Sequence, residues 1–458
     1  MRSRGHPLRS VRAPFGQPRT LKSAASSLIS KSFVASSLVV FSHGALGAAS
    51  PDWVITHAMV MTASHGTLAD TSVWVHAGKI AAVGASIAVP PGAEVIDATG
   101  ETLTPGIIDA HSHAGESIFA SGAARDEANE LTGPFQPQLR IRDGLSTESN
   151  EFYELLAAGQ TTQLVLPGSG NIVGGQAMPL KIKIGRPREE WFIKDAPVSM
   201  KTACGDTPSR VYGARGQEPS TPEQTSLMRR AEFDKARAYA AEWDRYRSAV
   251  KSGKTGVSVP RVDLEMEALN GILNGTTLVH IHCHTAEQIS SELAIAKDYG
   301  YTIRAIHHAS EAYKIADQLA AAGTAALIVV DWYADSGQAH ENIPWGAAID
   351  RAAGVRVALH GEALTETRHL PIEAGKLMRY AGYTRDEALA AITLNSAWIM
   401  GLDKRIGSID VGKDADLVLW RGDPLSVYGR VQKVFVDGEL SFDSSLPGLG
   451  LPSAGSAP

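Results

Sequence analysis

Residues 276–308 read TTLVHIHCHTAEQISSELAIAKDYGYTIRAIHH, and this stretch decides the fold class. It opens on a short apolar run, passes through an amphipathic segment of helical period, and closes on a second apolar run. Strand, helix and strand in that order form the repeating unit of a mainly parallel sheet with crossover helices. The alternation continues downstream, where SEAYKIADQLAAAG (310–323) precedes AALIVV (325–330), and VRVALHGE (355–362) leads into LPIEAGKLMRYAG (370–382). Thr285 with Gln288 and Thr384 with Glu387 have the capping-box spacing, and Gly323 and Gly401 suit helix ends.

The chain ends carry a different pattern. WVITHAMVMTA (53–63), SVWVHAGKIAAVG (72–84) and AEVIDATG (93–100) are short strand-like runs separated by Gly and Pro, and DADLVLWRGD (414–423) and VQKVFVDGELSFD (431–443) repeat the pattern. The two ends are expected to pair as one small β-sandwich. Between Pro222 and Val250 a long charged segment predicts a surface helix with a solvated face.

With 458 residues, 44% of them hydrophobic, the chain can bury a barrel-sized core. A net charge of -6 provides no broad basic field, so a small-molecule or short-peptide substrate is expected rather than nucleic acid. A homo-oligomer is compatible with this composition. Two cysteines, Cys204 and Cys283, exclude a disulfide framework and four-cysteine zinc modules; the preferred reading is that each is a small buried thiol, with a disulfide after export or thiolate ligation as the alternatives. Residues 1–51 contain no Asp or Glu, and the run SFVASSLVVFSHGALGAAS (32–50) predicts a cleaved targeting peptide over 1–49. Export to the periplasm or outside the cell follows, with an organellar leader as the alternative. Nothing later approaches the roughly 18 apolar residues of a membrane span.

Chemistry in a parallel barrel collects at the C-terminal ends of the strands. His111 and His113 close one apolar run, His282 and His284 another, His307 and His308 a third, and His360 with Glu362 a fourth. Four such ends from distant parts of the chain point to a divalent metal, for which imidazole and carboxylate are the natural ligands.

TPGIIDAHSHAG (104–115), these histidine pairs and GSIDVGKDADLVLW (407–420) resemble the amidohydrolase superfamily, specifically its imidazolonepropionase-like metal-dependent hydrolases. QLVLPGSGNIVGGQ (163–176) and GDTPSRVYGARGQEPST (205–221) resemble one subgroup of uncertain substrate. The resemblance implies an α/β fold, a TIM-like (β/α)8 barrel over 101–404, with the β-sandwich assembled from 52–100 and 405–445. A helical insertion is placed at about 185–259 and a flexible tail at 446–458. It implies His111, His113, His282 and His308 as ligands of one or two divalent ions, most simply zinc, with His308 also able to hold the substrate carbonyl.

Two positions depart from the family pattern. Glu362 stands where relatives carry the aspartate that binds metal and shuttles the proton, so Glu362 is assigned both roles. For a bridging ligand Asp206 is preferred over Lys201. His284 lies outside the ligand set or touches substrate, and His307 and His360 are given packing or loop roles. Hydrolysis of an amide-like C–N bond is the expected reaction. Deamination on the same barrel, or an exported binding protein with a degenerate site, are the alternatives.

Overall fold

The computed structural model describes residues 51–116, 128–332, 337–361 and 367–446. The leader, the tail from 447 onward and Glu362 lie outside these residues.

Two eight-stranded sheets organise the described residues. The first joins both chain ends: β1 (Trp53–Met61), β2 (Thr67–His76), β3 (Lys79–Gly84), β4 (Glu94–Asp97) and β5 (Glu101–Pro105) combine with β14 (Leu417–Arg421), β15 (Arg430–Val436) and β16 (Glu439–Asp443). The junction is the antiparallel pairing of β5 with β14, where Leu103 faces Leu419. Trp53, Ile55, Val73, Leu103, Leu417, Leu419 and Phe435 bury their side chains in this unit's own core. The joining of the two ends into one sheet is therefore observed.

The second sheet is a nearly closed barrel. Its strands are β6 (Ile107–Ser112), β7 (Gln160–Val165), β8 (Val173–Lys181), β9 (Val198–Ala203), β10 (Thr277–Cys283), β11 (Ile303–His308), β12 (Ala325–Ile328) and β13 (Val357–Leu359), neighbours in that order. The run from β9 to β13 is parallel throughout. One strand departs from the all-parallel expectation, since β8 runs antiparallel to both β7 and β9. Only residues 166–172, containing Pro167, Gly168 and Gly170, separate β7 from β8. A parallel return needs a crossover of a dozen or more residues, so this short link can only reverse the chain.

Helices α1 (Ile141–Gly144), α2 (Glu151–Ala157), α3 (Asp206–Gly213), α4 (Pro222–Lys251), α5 (Leu264–Leu273), α6 (Ala286–Tyr299), α7 (Ala316–Ala322) and α8 (Gly346–Ala352) lie between the strands. The charged segment forms α4, capped by the Thr221 hydroxyl, which accepts from the Gln224 amide, and it buries Phe233 and Ala236. The insertion drawn at 185–259 needs correction, because β9 within it is an integral barrel strand; its helical part is α3 and α4. Thr384 makes the expected capping box with Glu387, whereas Thr285 begins α6 without a side-chain cap bond. Gly323 ends α7 in the left-handed conformation.

Candidate metal centre

Strand periodicity builds the first wall of the site. On β10, His280 and His282 alternate to one side, and His284 follows immediately beyond the strand. On β11, His307 and His308 are consecutive and should face apart. The backbone of His308 is left-handed, with φ 67°, and Ala309 follows at φ 44°, which turns the second ring toward the same cluster as the first. That conformation costs a residue with a side chain about 1–2 kcal/mol, a strain typical of functional positions.

His282, His284 and His308 each place one ring nitrogen within 4.8 Å of the others, and all three are buried. Their ring centroids are separated by 4.4 Å (282 to 308) and 5.0 Å (284 to 308). The Ser310 hydroxyl lies 2.9 Å from His284 Nδ1, and the Thr207 hydroxyl lies 3.1 Å from His282 Nε2. His282 Nδ1 is buried with no hydrogen-bond partner among the described residues. The trio thus takes in His284, which the family pattern left outside the ligand set although it continues the parity of His280 and His282.

His111 and His113 form the adjoining wall. The His111 ring lies 4.8 Å from that of His308, 4.7 Å from that of His360 and 5.2 Å from that of His113. The Glu116 carboxylate sits 2.7 Å from His113 Nδ1, the kind of contact that orients a metal-binding imidazole. Asp109 is buried and structural in its visible contacts. One oxygen accepts from the His111 amide at 2.8 Å and the other from the Gly361 amide at 3.3 Å, linking the first and last barrel strands. His360, given a packing or loop role, is buried against the cluster with its ring stacked on His111, and its Nδ1 lies 3.0 Å from the Gly361 carbonyl. His307 is also inside the cluster, with contacts to His111 and His280.

Burial holds the imidazoles neutral. It lowers His360 to about 4, with Lys201 adding repulsion, and lowers His280 to about 3. His111, His282, His307 and His308 are pushed well below the ordinary histidine value, first by burial and then by neighbouring cationic groups that include Lys201. Lys201 on β9 is itself fully buried and reaches the Pro167 carbonyl at 3.1 Å. Asp206 is half-buried at the first position of α3. The Lys201 charge reaches all of these histidines. Neutral, buried imidazoles in mutual reach fit a borderline divalent cation.

A second acidic group, Asp414, Asp416 and Asp437, has ligand-like spacing as well. It is filled by the Lys181 ammonium, 2.6 Å from Asp414 and 2.9 Å from Asp416 and also paired with Asp437, so it is an ion-pair network.

The cysteines differ from the expectation of two thiols. Cys204 and Cys283 are disulfide-bonded, with Cα atoms 5.4 Å apart. The ladder between β9 and β10 brings the two strand ends together, and the Cys204 amide donates to the His282 carbonyl at 2.9 Å. Trp332 forms a flat wall, its ring centroid 5.3 Å from that of His308 and 5.9 Å from that of His284. A cavity of about 340 Å³ reaches Glu116, Pro167 and Gly174 beside the cluster. Asn171 ties loops together, donating to the Glu130 carbonyl and accepting from the Tyr212 hydroxyl, each at 2.7 Å.

Residues 274–442 match the model of the Amidohydrolase family. The crystal structure of an amidohydrolase from Thermotoga maritima MSB8 superposes with a TM-score of 0.79 at 32% identity, covering 85% of this chain and 100% of that one. The chain belongs to the amidohydrolase superfamily. Imidazolonepropionase from Geobacillus sp. (strain WCH70) is 28% identical over 76% of this chain and 83% of its own length, so this amidohydrolase is imidazolonepropionase-like. Amidohydrolase tasK of Hapsidospora irregularis is 31% identical over 78% of this chain, which spans only 38% of that longer relative.

Proposed function

We propose that this amidohydrolase hydrolyses a C–N bond of a small cyclic amide, N-acyl compound or dipeptide, using one or two divalent ions, most simply zinc. The observation that carries the reading is the buried His282, His284 and His308 trio with the His111 ring against it. His282, His284, His308, His111 and His113 would hold the metal, and Asp206, or Lys201 once carboxylated, would supply a bridging ligand. A divalent ion in such a set supplies Lewis acidity, lowering the pKa of water toward about 7 and polarising a carbonyl.

The remaining steps belong to the chain. His308 orients the scissile carbonyl, and Trp332 offers a planar face on which an amide or ring can lie. Glu362 takes the proton of the attacking water and passes it to the leaving nitrogen. Burial keeps the imidazoles free of protons at neutral pH, so they act as donors to a cation. The Cys204–Cys283 disulfide supports export, because such bonds persist in oxidising compartments.

The test joins metal analysis of purified protein with turnover on a panel of cyclic amides, N-acyl amino acids, dipeptides and aminated heterocycles. Stoichiometric metal, chelator-sensitive amide hydrolysis and its loss in Glu362→Ala are expected. Ammonia release from the heterocycles alone would make the protein a deaminase. Metal without turnover on any class would indicate a binding protein, and unchanged turnover in Glu362→Ala would remove that residue from the mechanism.

A further inference from the structure

Two buried histidines that the proposed reaction does not use, His307 and His280, extend a hydrogen-bonded chain from His111. His111 Nδ1 lies 2.8 Å from His307 Nδ1, and His307 Nε2 lies 3.0 Å from His280 Nδ1. All three side chains are essentially inaccessible to solvent. An imidazole that binds a cation does so as the neutral ring, and each close N···N contact pairs one N–H with one lone pair.

A neutral imidazole has one N–H and one acceptor nitrogen, so the two bonds must run in the same direction. Run outward from the cluster, His111 Nδ1–H donates to His307 Nδ1, and His307 Nε2–H donates to His280 Nδ1. His111 Nε2 then carries a lone pair. In the reverse sense, His280 donates to His307 and His307 to His111, and His111 Nε2 carries the proton. Only the first direction leaves His111 able to bind a cation.

We propose that His307, backed by His280, is a positioning residue that sets the tautomer and ring orientation of His111 as a metal ligand. Metal-binding histidines ordinarily give their other N–H to a carboxylate, carbonyl or water, as the Glu116 contact illustrates for His113. Here an imidazole takes that place for His111. The left-handed turn at His308 is what allows it, because it lets β11 contribute two consecutive rings, His308 among the proposed ligands and His307 behind His111.

The inference rests on the metal-dependent reading, and the test separates the two. The full chain is stripped with chelator and titrated with Zn²⁺ against a chromophoric competitor, and with Co²⁺ to follow its visible absorption. His307→Asn keeps an acceptor at the position of Nδ1, His307→Gln reaches only the position of Nε2, and His307→Leu keeps neither. Leu and Gln are expected to weaken metal binding about 10–100-fold and to change the Co²⁺ spectrum, with Asn within about threefold of wild type. If Leu fails to fold by thermal melting, the Gln and Asn pair decides. Wild-type affinity in Gln, or an equal loss in Asn and Gln, would overturn the positioning role alone. A wild-type chain that binds neither ion would overturn the metal reading and this role with it.

Discussion

Replacing Lys181 by Met removes the one cation that joins β8 of the barrel to three acids of the opposite sheet. Asp414 retains Lys79 and Arg405 as partners, and Asp437 retains Lys183. Asp416 retains only the Asp437 amide, at 2.8 Å, among the described residues. Its buried carboxyl is already pushed up to about 6 by burial, with Lys181 opposing that rise. Removing one partner of a buried ion pair costs about 3–5 kcal/mol, because the other charge stays desolvated. The orphaned carboxyl escapes by taking up a proton, at about 1.4 kcal/mol per pH unit above the wild-type value of about 6, or about 2 kcal/mol at pH 7.5. This escape caps the loss below the direct cost. The variant raises the folded pKa of Asp416 further, so the added loss is present above about pH 6 and shrinks below it, where Asp416 is protonated in both proteins. Urea titrations at pH 5.5 and 7.5 measure this, and adding Asp416→Asn to Lys181→Met should recover most of the loss. A loss under about 1 kcal/mol at pH 7.5, or one that grows as pH falls, would refute the reasoning.

Asp350 on α8 is buried, and burial raises its carboxyl to about 7. The folded state then holds a proton that the unfolded state releases, so stability falls as pH rises from about 4 to 7; Asp350→Asn should gain about 2–4 kcal/mol at pH 8 and nothing near pH 4, read from denaturation midpoints. Equal gains at both pH values would show that the carboxyl does not titrate as stated. The Cys204–Cys283 disulfide closes a sequence separation of 79 residues, so the double Cys→Ala variant should lose about 2–4 kcal/mol. Reductant should impose a similar loss on the wild type and none on the variant, and a wild type indifferent to reductant would contradict the bond.

Parity alone made His282 and His284 legible as neighbours on one side of the chain, and the same parity puts His280, not singled out from the sequence, on that side. The alternation from 276 to 382 announced the barrel, and the two strand-like ends announced their common sheet, since each pattern follows from local periodicity and turn chemistry. What periodicity does not encode is the backbone exception. His307 and His308 share a site only because His308 adopts a left-handed conformation, and nothing in AIHHAS marks that turn. The reversal of β8 could have been found from its short Pro- and Gly-containing link, whereas the Lys201 position, the Cys204–Cys283 bond and the stacking of His360 on His111 could not. By itself the sequence determined which residue types reach the ends of which strands, because that depends on a period of two along each strand. Tertiary structure decided which of them meet, because contact between residues 111, 201, 282, 308 and 360 is set by how distant strands close around one axis.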